Sequence, residues 1–320
     1  MKKLLLACAL TALALPVLAK SDALSLIPND AVSVGVVRIA DMRSSPLSST
    51  LFQQTDKISA HGDAEEFLRE AGLQPTRDID LVMVATSPRT TLGHDADVLV
   101  AAEGRFNVDR LTTALVSRGA EKRSNANGTY FILPKHQDVS DERGAVAFTD
   151  SHLALVGTEA AVLDALANRA AGGTSFTTAS GLGRELSRID PHATAWALVD
   201  VARAQRLTGG AHLPANNMST QALNSALKSV STVALWATDS GDQLKLGAFG
   251  LSNDPETLQL LEDTVRGALS AMRLAVQDKS PELVSTLRRF TVSHTDNSVT
   301  ISGTVPAEAV RGFMHKPQTR

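Results

Sequence analysis

The chain holds a single cysteine among its 320 residues, Cys8, and that residue lies in a segment with the form of an export signal. Once that signal is removed no cysteine remains. Disulfides, thiol nucleophiles, cysteine–zinc sites and iron–sulfur clusters are then excluded from the mature protein. Aromatic residues are also scarce, at 4%. Proteins that stack sugars or single-stranded nucleic acid need aromatic faces, and few are on offer here. Nor is there an excess of positive charge. Lys and Arg number 31 against 34 Asp and Glu, and 29 against 34 without Lys2 and Lys3. No basic stripe stands out, so nucleic acid is not an expected partner. Beyond the first 19 residues no apolar run reaches the roughly 18 residues of a membrane span.

The start of the chain has positive content. Met1-Lys2-Lys3 is basic, Leu4 to Leu15 is apolar apart from Thr11, and Val17 and Ala19 are small where a signal peptidase reads. This is the pattern of a secretory signal cleaved after Ala19, which predicts a periplasmic or secreted protein. A lipoprotein reading of Leu5-Leu6-Ala7-Cys8 is disfavoured. The apolar run before Cys8 is short, and Leu6 is bulky where a small residue is usual.

The mature chain carries one pattern twice. Phe148 to Thr158 reads as strand, tight turn, strand and helix start, and so does Ser293 to Thr304. In both, Asp and Gly stand seven apart and a Thr follows the Gly. The expected organisation is a signal over 1–19, a first α+β unit over 20–173, a second over 174–314 and a tail over 315–320. Each unit is expected to be a mostly antiparallel sheet with helices on one face. A seam is expected between Ala171-Gly172-Gly173-Thr174 and Pro191, and a long loop over 208–220. Whether the units share one sheet is left open.

Helix starts are marked by capping residues at Asn107, Thr158 and Asp254-Pro255, with a capping box at Asp63 and Glu66. Gly72 and Gly119 mark helix ends. The strongest helix runs from Pro255 to Val276, with Leu258, Leu261, Val265, Leu269, Met272 and Val276 on one apolar face. Its polar face mixes acids and bases, which favours core packing over a membrane surface. Trp196 and Trp236 lie in strand-like runs and are expected in the core.

Candidate chemistry is sparse. Ser225-Ala226-Leu227-Lys228 matches the S-x-x-K element of serine acylases, and Thr295-Asp296-Asn297 resembles their S-D-N element, but no basic strand motif follows. His94-Asp95-Ala96-Asp97 and His61-Gly62-Asp63 set imidazole beside carboxylate without the spacing that puts two ligands on one helix face. His152 and His294 are expected exposed and isolated in hairpins. Ser180-Gly181-Leu182-Gly183 lacks the Lys of a P-loop. No catalytic, cofactor or metal residue is therefore assigned.

The signal, the opening Leu26-Ile27-Pro28-Asn29-Asp30-Ala31 and the paired strand–helix units resemble uncharacterised exported bacterial proteins built from a repeated α+β domain of unknown function. The resemblance implies no catalytic residue. The expectation is an envelope protein that acts as a non-catalytic binding or interaction module for a protein partner or an apolar ligand. A divergent periplasmic hydrolase is the alternative. A shallow apolar surface would favour binding; a deep pocket gathering Ser, His and carboxylate would favour hydrolysis.

Overall fold

The computed structural model describes residues 21–48, 52, 63–89, 96–134, 143–173, 176, 181–207, 230–277 and 281–314. The expected export signal with Cys8, the expected loop over 208–220 and the expected tail over 315–320 lie outside these residues.

Twelve strands form one sheet. They are β1 (Ser33–Arg38), β2 (Ile79–Pro88), β3 (Ala96–Gly104), β4 (Glu121–Asn125), β5 (Gly128–Ile132) and β6 (Gly144–Phe148). The rest are β7 (Leu153–Thr158), β8 (Ala195–Asp200), β9 (Thr232–Asp239), β10 (Gln243–Leu251), β11 (Thr291–Thr295) and β12 (Ser298–Pro306). The helices are α1 (Ile39–Met42), α2 (Asp63–Ala71), α3 (Pro75–Asp78), α4 (Val108–Ser117), α5 (Glu159–Ala170), α6 (Val201–Leu207), α7 (Pro255–Val276), α8 (Pro281–Arg288) and α9 (Ala307–Met314). The protein is α+β, as its alternation of hairpins and helices predicts.

Every ladder is antiparallel. The strand order is β11-β12-β10-β9-β8-β1-β2-β3-β7-β6-β5-β4. Outward from the central pair, the first half runs β1-β2-β3-β7-β6 and the second runs β8-β9-β10-β12-β11. The first half adds the hairpin β4–β5 beyond β6. The two halves thus repeat one neighbour order and share a single sheet through β1 and β8, where Gly35 faces Ala197.

Strand residues alternate between the two faces, and here both faces are apolar. One face carries Val36, Met83, Ala101, Leu155, Ala147 and Trp196, all buried in the main core. Ala161, Val162, Ala165 and Leu166 of α5 cover it, with Leu26 from a short 3-10 turn. Described residues from the expected seam join this layer. Gly172 and Gly173 turn the chain at positive φ, and then Phe176, Leu182 and Ile189 bury themselves on the sheet. Trp196 and Trp236 face each other across β8 and β9, and Trp236 packs on the same core.

Among the described residues the opposite face is covered only towards its ends. Leu111, Ala114 and Leu115 of α4 pack there on Ala154, Phe131 and Val146, with Ala71 of α2 beside them. At the other end Leu258 and Leu261 of α7 pack on Val230 and Val299. The sequence pattern predicts helices on one face; they lie on both, because the central strands are apolar on both and α5 takes the side that α4 and α7 leave.

The caps at Asn107, Thr158 and Asp254 form as the sequence predicts. Asn107 accepts from the Arg110 N–H, Thr158 from Ala161, and Asp254 from Glu256 and Thr257. Met272 departs from expectation: it is 47% exposed. The last turns of α7 lie beside α8, with Arg273 donating to the Leu287 carbonyl.

Candidate functional site

Between the two helical ends, no described helix packs on the second face. A row of register partners crosses it from Val84 through Gly35, Ala197, Leu235 and Ala248 to Ile301. Val37, Val82, Ala195, Ala237 and Leu246 form the neighbouring row on the same face. These residues floor a groove of about 640 Å³ whose described lining consists only of Gly, Ala, Val, Leu, Ile, Phe and Trp. Six strands separated by about 4.8 Å give it a length of about 24 Å.

Small residues make the groove. A Cβ at Gly35 would have only the Trp196 carbonyl oxygen within 4 Å, at 4.0 Å. At one wall the Phe290 ring rests on Gly303, where a Cβ would stand 2.5 Å from it. Leu261 of α7 sits over Gly250, where a Cβ would be 2.8 Å away. Several residues of the floor are exposed. Leu235 is 56% exposed, Val84 39% and Val37 38%. Contiguous exposed apolar surface of this kind marks an interaction or ligand site in a folded protein.

No side chain of the described lining ionises or carries a hydrogen-bonding oxygen, and Trp196 and Trp236 belong to the row of the opposite, buried face. Charge begins at the rim. Arg43, just after α1, donates to the Thr76 and Ile79 carbonyls and to Asp80, tying the chain after β1 to the start of β2. Ser48 donates to Asp239 at the end of β9 at 2.9 Å.

The residues singled out from sequence do not converge there. Thr295 and Ser298 close the β11–β12 hairpin around Asp296-Asn297, so the S-D-N-like element is a turn. Ser225-Ala226-Leu227-Lys228, His61-Gly62 and His94-Asp95 lie outside the described residues. Asp63 begins α2. Asp97 is on β3, where it accepts from Thr158 at 2.9 Å and pairs with Arg89 at 3.0 Å. Among the described residues no group of three His, Cys, Asp or Glu could hold a metal ion. His152 and His294 are exposed but not isolated. His152 Nδ1 lies 3.2 Å from the Gly104 carbonyl, and His294 Nδ1 lies 3.0 Å from Glu262.

A second, polar cavity of about 360 Å³ lies where α5 meets the ends of β2 and β3, with Asp30, Asp97 and Asp164 on its walls. Burial there raises the pKa of Asp164, with the charges of Asp97 and Asp30 adding to the effect.

No protein-family model and no curated protein matches the sequence. Solved structures do match. Crystal form III of TP0453 aligns at TM-score 0.52 with 12% identity, covering 93% of this chain and 100% of that one. Crystal form IV of TP0453 aligns at TM-score 0.50 with 12% identity, covering 93% and 98%. The chain shares its fold with TP0453. At that identity the likeness extends to the fold alone, so the reading of the groove rests on its own residues. Among the described residues no helix is long and apolar enough to cross a membrane.

Proposed function

We propose that this is an exported, non-catalytic binding protein of the bacterial envelope whose ligand is a long hydrocarbon chain laid along the open sheet face. One observation carries the reading: six adjacent strands present an unbroken apolar floor about 24 Å long. Such a lining can reward burial of methylene groups, at about 0.8 kcal/mol each, while the nearly absent polar groups could fix few headgroups. The length suits an extended chain better than a compact ring system. Export is supported by the first 19 residues, with their basic start, apolar stretch and small residues at Val17 and Ala19.

The test is a fluorescence titration with N-phenyl-1-naphthylamine, a neutral apolar probe, competed by palmitate. The wild-type protein should bind the probe and release it to palmitate. Leu235→Gln, at an exposed floor position, should keep the melting temperature and weaken probe binding about tenfold, the equivalent of about 1.4 kcal/mol. Absence of binding, or equal binding by the variant, would remove the groove as the ligand site.

A further inference from the structure

The two ends of the sheet are protected in different ways. An open edge strand is a template for another chain, and proteins blunt it with charges, prolines or bulges. At one end β4 reads Glu121-Lys122-Arg123-Ser124-Asn125, and Arg123 pairs with Glu121 at 2.8 Å. This strand carries its own charge. At the other end β11 reads Thr291-Val292-Ser293-His294-Thr295, with no Lys, Pro or carboxylate. Its sequence is neutral and favours extended structure.

The register shows which groups of β11 are open. Thr295 and Ser298 flank the two-residue turn and form its closing pair. In such a hairpin the closing pair exchanges backbone hydrogen bonds, and alternate residues do not. Val292 and His294 therefore direct their N–H and C=O away from β12, off the end of the sheet. One of these acceptors is occupied from outside the strand. Arg266, on α7, donates from Nη2 to the Val292 carbonyl at 2.9 Å. Its Nε donates to Glu262 Oε1 at 2.8 Å, and the other Glu262 oxygen meets His294 Nδ1 at 3.0 Å. Helix and edge strand are thus clasped by three side chains, with the guanidinium seated on the open edge.

We propose that Arg266 is an edge guard: seated on the Val292 carbonyl, it keeps β11 from pairing with β11 of a second copy of this chain. The self-pairing it prevents is otherwise well formed. In an antiparallel arrangement centred on Ser293, Val292 of each copy faces His294 of the other. Both are residues whose backbone groups point outward, so the hydrogen-bond register closes and no like charges meet. The same operation on β4 would set Arg123 against Arg123. This edge therefore depends on a side chain supplied by α7, where the opposite edge depends on its own sequence.

The test is sedimentation velocity over a concentration series with the full mature chain. Wild type should keep one mass throughout. Arg266→Ala should shift towards a doubled mass as concentration rises. The Arg266 side chain is 54% exposed, so its truncation leaves the core intact. Adding His294→Pro should restore the wild-type mass, because proline removes an outward N–H and no ladder bond to β12. Glu262→Gln, which loosens Arg266 without truncating it, should associate in the same way but more weakly. The proposal is overturned if neither Arg266→Ala nor Glu262→Gln associates, or if His294→Pro fails to reverse the association. It is equally overturned if wild type already pairs and His294→Pro alone separates it.

Discussion

Gly35 and Ala197 face each other across the β1–β8 ladder, and neither bears a side chain larger than a methyl group. This pair is both the joint between the two halves of the sheet and the floor of the groove. A joint made only for stability would fill the space, since β-branched residues pack well on a strand and Gly weakens it. The absence of bulk at this position leaves the groove its depth.

Gly35→Val should therefore separate stability from binding. A Cβ at Gly35 would meet nothing nearer than the Trp196 carbonyl oxygen at 4.0 Å. Stability should rise by about 0.5–1 kcal/mol through the loss of glycine's unfolded-state freedom. Probe binding should fall, because the isopropyl group occupies the floor. Urea unfolding and the naphthylamine titration read the two effects on one sample. A stability gain with unchanged binding would argue that the ligand lies elsewhere.

Gly247→Ala should behave in the opposite sense. Its neighbour across the ladder is Trp236, and a Cβ at Gly247 would run into the indole ring. That ring belongs to the well-packed face and also contacts Phe249, with ring centroids 6.1 Å apart. Overpacking of this kind costs about 1–3 kcal/mol. The midpoint of urea unfolding should drop accordingly, while Gly35→Val raises it.

Two carboxylates should shape the acid limb of stability with opposite signs. Hydrogen bonds from Arg77 lower the pKa of Asp78, and the Gln74 N–H adds to this against the cost of burial. A lowered carboxylate stabilises the fold above its unfolded pKa near 3.9, and the contribution is lost as pH falls through the folded value. Asp78→Asn should cost about 1 kcal/mol at pH 7, a modest figure because Arg77 is largely exposed, and the difference from wild type should close on acidification.

Asp164 is the reverse case. Burial raises its pKa, and Asp97 and Asp30 repel its charge. The folded state then binds the proton more tightly than the unfolded chain does, so ionisation opposes folding above the unfolded pKa. Asp164→Asn should be at least as stable as wild type at pH 7, with any advantage vanishing below about pH 4. Melting temperatures between pH 7 and pH 3 for both variants distinguish the two signs.

Much of the fold is legible in particular residues. Asn107, Thr158 and Asp254 announce helix starts because each can accept from the unpaired N–H groups of a first turn. Asp296-Asn297 announces a hairpin. Other features are not legible, for physical reasons. The strand β4 has no apolar alternation, since it lies at an edge and buries almost nothing. The pairing of β1 with β8 joins residues about 160 apart, and no local signal specifies it. Met272 continues the apolar face of α7 in sequence, yet it is exposed where the helix runs beside α8. The groove is hidden for a related reason. A run such as Val34-Gly35-Val36-Val37 reads as buried on both sides, and only the placement of α4 and α7 at the ends leaves one side uncovered. The contacts of His294 were likewise hidden, because Glu262 reaches it from a helix more than thirty residues earlier.

The measurement that tests the groove most directly is native mass spectrometry of the mature protein purified from the cells that make it. It should compare wild type with Ala197→Trp, which fills the floor. Wild type should carry extra mass that organic extraction removes and added palmitate restores, and Ala197→Trp should carry none under either condition. A bare wild-type mass that stays bare with palmitate, or an adduct that Ala197→Trp retains, would contradict the account.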